Sequence, residues 1–230
     1  MSKKYLKFQK IICNNILLIE EKEIGVFNSL PLCYRPYYNI DLFRFKFKLY
    51  HSCTGNCKFA NILIENHFTP PFLELTEDHI NDKNIKSIND FILKGYFKNR
   101  NILCNEEICI SENVGSVQTF KYKILEKPPI ISIYISMNET NINKFHDDIS
   151  KLLNNDFIFE NIKYNLLGII LMPTNDHFNV LFKNQSEIFK LEKNNWYFHD
   201  DLNGLIKIVE DIGYKNIIQS NNLCLFVYGV

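Results

Sequence analysis

The sequence predicts an α+β fold: an antiparallel β-sheet accompanied by a β-rich zinc finger subdomain, with few helices. Three observations carry this expectation. Short β-branched and aromatic runs of strand length recur through the second half, separated by turn residues. Four of the seven cysteines fall into two close pairs. Only two segments combine helical spacing with a start or stop signal.

Taken along the chain, Met1–Lys10 is positively charged, and the apolar run Ile11–Ile19 is interrupted by Cys13-Asn14-Asn15 and ended by Glu20-Glu21. Neither a signal peptide nor a membrane span is expected there. Leu42–Leu49 alternates apolar and basic residues, the pattern of a half-exposed strand. Ser87 is placed to cap a helix through Ile88, Phe91 and Ile92. Ile130–Ile135 reads as a buried strand, and Asn138–Asn155 as a surface loop or short helix. Tyr164–Leu171 and Phe178–Phe182 read as neighbouring strands around the turn Pro173-Thr174-Asn175-Asp176. Ile188–Leu191, Trp196–Phe198 and Leu223–Tyr228 complete the sheet. Leu205–Ile212, with Gly213 at its stop, is expected to be the second helix.

The 230 residues suggest one domain, 1–230, in three parts: an N-terminal segment 1–41, a cysteine-bearing region 42–127 and the main sheet 128–230. With 46% hydrophobic residues and 19 Phe, it can fill a core of that size. The 26 basic residues balance 26 acidic ones, so no basic stripe is expected, and with it neither a nucleic-acid nor a membrane partner. An odd number of cysteines without secretory signals points to a reducing compartment, cytoplasm and/or nucleus.

Cys53-Thr54-Gly55-Asn56-Cys57 and Cys104-Asn105-Glu106-Glu107-Ile108-Cys109 have 46 residues between them. A zinc ion takes four thiolates in a tetrahedron, and two tight turns offering two sulfurs each can supply them. Gly55 lets the first turn close on itself. A structural zinc held by Cys53, Cys57, Cys104 and Cys109 is therefore expected, with no catalytic water. The bland alternative is four ordinary cysteines in two hairpin loops.

In order, the segments resemble the catalytic domain of the ubiquitin-specific proteases, papain-like deubiquitinases built as fingers, palm and thumb. The resemblance runs through the strand leading into Cys53 and Cys57, Pro71-Phe72-Leu73-Glu74-Leu75, the Ser87–Leu93 helix and the second cysteine pair. It continues through Lys121-Tyr122-Lys123-Ile124, Pro129–Ile133 and Tyr164–Ile170. The histidine box is matched by Asp176-His177-Phe178-Asn179-Val180-Leu181, and the acidic box by Trp196-Tyr197-Phe198-His199-Asp200-Asp201. Leu223–Tyr228 resembles the family's closing strand. Residues 42–228, roughly four-fifths of the chain, are covered.

The resemblance implies a papain-like palm and zinc-bearing fingers. It makes His177 the general base, Asp200 the residue orienting it and Asp201 a supporting acid. Gly25–Tyr34 is similar to the cysteine box, which makes Cys33 the nucleophile and Asn28 the oxyanion donor. The sequence departs from the family at Leu30-Pro31-Leu32 and at Pro36, which permits at most a first helical turn after Cys33. Only 19 residues separate Cys33 from Cys53, so the helical thumb is reduced. The implied function is a cysteine-type hydrolase cutting after the C-terminal glycine of ubiquitin or a ubiquitin-like modifier, which would then be its partner. The alternatives are an inactive scaffold of the same kind that binds such a partner, and an unrelated zinc-stabilised interaction domain. Cys13 and Cys224 are expected to be structural, and His51, His67, His79 and His146 to be surface residues without a role. His199 is expected to be structural or exposed.

Overall fold

The computed structural model describes residues 41–60, 62–111, 115–136, 152, 156–174, 177–183, 195–200, 205–209 and 223–230. They form two sheets. The smaller has four antiparallel strands: β1 (Lys46–Cys53), β2 (Leu63–Phe68), β4 (Arg100–Leu103) and β5 (Val117–Glu126), in the order β2-β1-β5-β4. The larger contains β3 (Leu73–Thr76), β6 (Ile130–Ser136), β8 (Ile162–Thr174), β9 (His177–Lys183), β10 (Trp196–Asp200), β11 (Leu205–Val209) and β12 (Leu223–Gly229). Their order is β11-β10-β9-β8-β12-β6-β3, and β7 (Asp156–Phe159) pairs with β8. All its described pairings are antiparallel except β3 with β6.

β1 begins at Lys46, four residues later than the alternation at Leu42 suggests, because Asp41–Phe43 forms a 3-10 turn closed by the Arg44 N–H on the Asp41 carbonyl. Ser87 caps as expected: its Oγ accepts from the Asp90 N–H at 3.1 Å and starts α2 (Ile88–Asp90). That helix runs directly into a π-helical turn, Phe91–Tyr96, closed by the Phe97 N–H on the Ile92 carbonyl. Gly95 packs closely there: a Cβ would stand 3.0 Å from His79 and 3.1 Å from Ile85, so a larger residue must push these side chains aside. Two further short helices are α1 (Glu77–Asn81) and α3 (Glu107–Ser111). None of the described helices is long and apolar enough to cross a membrane.

The expectation of a helix over Leu205–Ile212 is corrected. Leu205–Val209 is β11, antiparallel to β10 with Trp196 opposite Val209. Three of its five residues are β-branched, and the edge of β10 offers backbone partners that a helix would leave unused. The expected strand at 188–191 lies outside the described residues, as does 138–155 apart from one buried helical residue, Leu152, and the expected buried strand at 130–135 matches β6.

One large apolar cluster lies against the larger sheet. Ile131, Ile133 and Ile135 of β6, Leu73 and Leu75 of β3, Tyr164, Ile169 and Leu171 of β8, and Tyr228 of β12 are all buried in it, under Ile88, Phe91 and Ile92 of α2 and the π-turn. Phe45 ties the small sheet to this cluster, packing edge-on against Phe97 at 5.5 Å and Phe159 at 6.0 Å. Tyr164 donates its hydroxyl to the Pro128 carbonyl at 2.9 Å, so this buried phenol is satisfied.

Candidate functional site

Two sites come from the sequence-derived residues, one in each sheet. In the smaller sheet, β1 ends at Cys53, the following turn carries Cys57, Cys104 follows β4, and α3 carries Cys109. All four are buried free thiols whose sulfurs lie within 4.8 Å of one another. Cys53 Sγ is 3.8 Å from Cys109 Sγ, and Cys57 Sγ is 3.9 Å from Cys104 Sγ. A tetrahedron with zinc–sulfur bonds of about 2.3 Å needs sulfur separations of about 3.8 Å. Four buried soft donors, two pairs of them at about that separation and all within 4.8 Å, fit a metal such as zinc, and Cys53, Cys57, Cys104 and Cys109 would hold it.

The backbone builds this cage from both sides. The Gly55 N–H points to Cys53 Sγ at 3.4 Å, and the Gln118 side-chain amide donates to Cys104 Sγ at 3.1 Å. Thr54 and Val117 exchange hydrogen bonds, and the Cys104 N–H donates to Ser116 O at 2.8 Å, which locks the two turns together. A Cβ on Gly55 would fall 2.6 Å from Cys109 Sγ, so only glycine fits.

The thiols differ in acidity. Burial pushes Cys104 up, but the Glu106 N–H, the Gln118 amide and neighbouring thiols together bring it down to about 7. Burial, reinforced by Cys104, raises Cys109 to about 12. At Cys53 the Gly55 N–H lowers the value, yet burial and the adjoining thiols outweigh it and leave it raised. Four thiolates cannot crowd together without a cation, so metal capture here releases protons.

In the larger sheet, the ladder of β9 and β10 places Asp200 opposite Asn179. The backbone of His177 stands two residues before Asn179, at the start of β9, and opposite Thr174 of β8. His177 and Asp200 therefore occupy the same end of two adjacent strands. Asp200 is the last residue of β10, which runs two residues past the stop expected at Phe198. Along the same side of these strands, Trp196 and Leu181 are buried in the core, Phe198 packs against it, and the row then turns polar at Asn179 and Asp200. The end of the sheet is thus an apolar floor finishing in polar groups. Among the described residues, buried Asn179 has no partner for its Oδ1, and the half-buried His199, on the other side of β10, has none for its Nδ1. Cys33, Asn28 and Asp201 lie outside the described residues, as do Cys13 and His146.

Two histidines expected at the surface without a role are half-buried and make specific contacts. His51 is sandwiched between Phe59 at 4.0 Å and Phe120 at 4.2 Å. His79 Nδ1 accepts from the Thr76 N–H at 3.2 Å and lies 2.8 Å from its hydroxyl, capping α1. Burial, followed by the Arg100 charge, lowers its pKa. The signal was present: Thr76 and His79 stand at capping-box spacing, with His in place of Glu or Gln.

No family model matches the chain, and no curated protein does. The fold, however, has solved counterparts. The Pan2 pseudoubiquitin-hydrolase of Saccharomyces cerevisiae superposes with a TM-score of 0.51 at 13% identity, covering 99% of this chain and 63% of that one. The Pan2 pseudoubiquitin hydrolase–RNA exonuclease module in complex with AACCAA RNA gives 0.54 at 14% identity, covering 86% and 35%. The SAGA Ubp8 DUB module with Sgf11, Sus1 and Sgf73 gives 0.52 at 12% identity, covering 97% and 49%. The chain thus spans between about a third and 63% of these neighbours' lengths. The mixed α+β, sheet-dominated fold resembles those of these deubiquitinase-type modules. The exclusion of nucleic acid drawn from balanced charge is corrected, since a neighbour of this fold is a module solved with RNA. A net charge of zero states only a sum and says nothing about where the charges stand.

Proposed function

We propose that this protein is a cysteine-type hydrolase of the deubiquitinase kind, cutting after the C-terminal glycine of ubiquitin or a ubiquitin-like modifier. The observation that supports it is the β9–β10 register, which sets the backbones of His177 and Asp200 at one end of adjacent strands. In this reading His177 takes the Cys33 proton, and the thiolate attacks the glycine carbonyl carbon. Asn28 donates to the resulting oxyanion, Asp200 holds the imidazole, and Asp201 supports it. The imidazolium then protonates the departing amine, and water releases the acyl group from sulfur. We assign zinc to the four cysteines, whose role is structural, and an intracellular site of action to the thiol chemistry.

A second reading, a scaffold that binds without hydrolysis, is favoured by the cysteine box. Leu30-Pro31-Leu32 and Pro36 depart from the pattern, and a helix interrupted so early gives Cys33 little help from a dipole. Covalent labelling by ubiquitin and SUMO-type probes with C-terminal electrophiles separates the two. Labelling that vanishes in Cys33→Ala and falls at least a hundredfold in rate in His177→Ala is expected for the hydrolase. Folded, metal-loaded protein that no probe labels would sink it in favour of the scaffold.

A further inference from the structure

We propose that the solvent-facing side of the four-stranded sheet binds single-stranded nucleic acid. Strand alternation sorts β1 and β5 into two sides. Phe47, Tyr122 and Ile124 turn toward the core, so Lys46, Lys48 and Tyr50 on β1 share the opposite side with Lys121 and Lys123 on β5. Lys121 and Lys123 are exposed, as are Asn66 and Phe68 of β2, which extend the same side.

Two features distinguish this face from an ordinary solvated one. Lys48 stands directly opposite Lys123, and like charges opposed across an antiparallel pair destabilise it. Lys46 is paired, 2.7 Å from Glu126, while no described carboxylate forms an ion pair with Lys48, Lys121 or Lys123. An anion lying across the sheet would relieve that repulsion. The second feature is aromatic. Tyr50 sits between Lys121 and Ile64 in the ladder, and Phe68 lies exposed with the Arg44 guanidinium 4.5 Å over its ring.

Cations that track a phosphate backbone, interleaved with rings on which bases stack, are what a single strand requires. A duplex hides its base faces, and a chain of aliphatic carboxylates has no aromatic ring to stack on these rings. Charge and aromatic placement together favour the nucleic acid, whose bases stack on rings where aliphatic carboxylate side chains cannot.

The test uses the full metal-loaded chain and a fluorescently labelled 15-nucleotide oligouridylate, read by anisotropy over a salt series. Binding is expected, with log K falling against log salt at a slope of about −2 for three lysine–phosphate contacts. Lys121→Glu with Lys123→Glu should abolish it while leaving circular dichroism and metal content unchanged. Tyr50→Ala should weaken binding about tenfold without altering the slope, since a lost stack removes no charge. No binding at low salt would overturn the proposal, and so would binding indifferent to the charge reversal. Equal affinity for polyglutamate, untouched by Tyr50→Ala, would identify the face as one for acidic proteins instead.

Discussion

The two sheets differ in what they bury. Against the larger one lie 22 buried apolar residues in a single described cluster. The smaller one exposes five of six residues in β2 and all four in β4, and its outer buried cluster is four cysteines with Phe59 packed beside them. A sheet with so little apolar area to bury resembles the small domains that fold only with a metal or a cross-link. The large sheet needs no such aid. The lesson is that one chain can place its hydrophobic stabilisation and its coordination chemistry at opposite ends of the same strand: β1 begins beside buried Phe45 and ends at Cys53.

The largest effect expected from that contrast is loss of the metal. Structural zinc in small fingers is worth roughly 10–16 kcal/mol in apparent binding free energy. Chelation, or Cys104→Ser, should therefore strip hydrogen-exchange protection from β1, β4 and β5 beyond Phe47 while β6, β8 and β12 keep theirs. If protection falls equally in both sheets, the comparison is wrong and the molecule melts as one unit. Phe159→Ala should do the reverse. It removes a fully buried ring and should cost about 3–5 kcal/mol in denaturant unfolding, with metal stoichiometry retained.

The smallest effect is one of pH at the junction. The pKa of folded His79 lies below its unfolded value of 6.5, so the neutral ring is the one the fold prefers. Its contribution is fully present above pH 6.5 and is lost as pH falls through the folded value. The denaturation midpoint should consequently drop on acidification below 6.5. His79→Gln should flatten that part of the profile, and an unaltered slope would show that other groups carry it.

What the sequence revealed depended on how local each signal was. The cysteine turns were legible because a metal site draws its ligands from residues a few positions apart, and the spacing alone marks them. Strands such as Ile130–Ile135 were legible because buried runs of β-branched residues have few other uses. Leu205–Val209 misled because five apolar-rich residues fit either period, and only the open edge of β10 decides between them. The basic face escaped notice because Lys48 and Lys123 are far apart in sequence and cancel against acids placed elsewhere. The backbones of His177 and Asp200 share one end of adjacent strands, as a histidine on one strand and an acid at the end of the next suggest, while the roles proposed for them come from family resemblance.

The order of the large sheet has a bearing on how the molecule is made. β12 follows every other described strand in sequence, yet it lies between β8 and β6, pairing with both. Until residues 223–229 leave the ribosome, those two strands each hold an open edge rich in isoleucine and leucine, which invites pairing with other chains. Closure of the described sheet must wait for β12, so the nascent chain passes through a period when these open edges are exposed to mispairing.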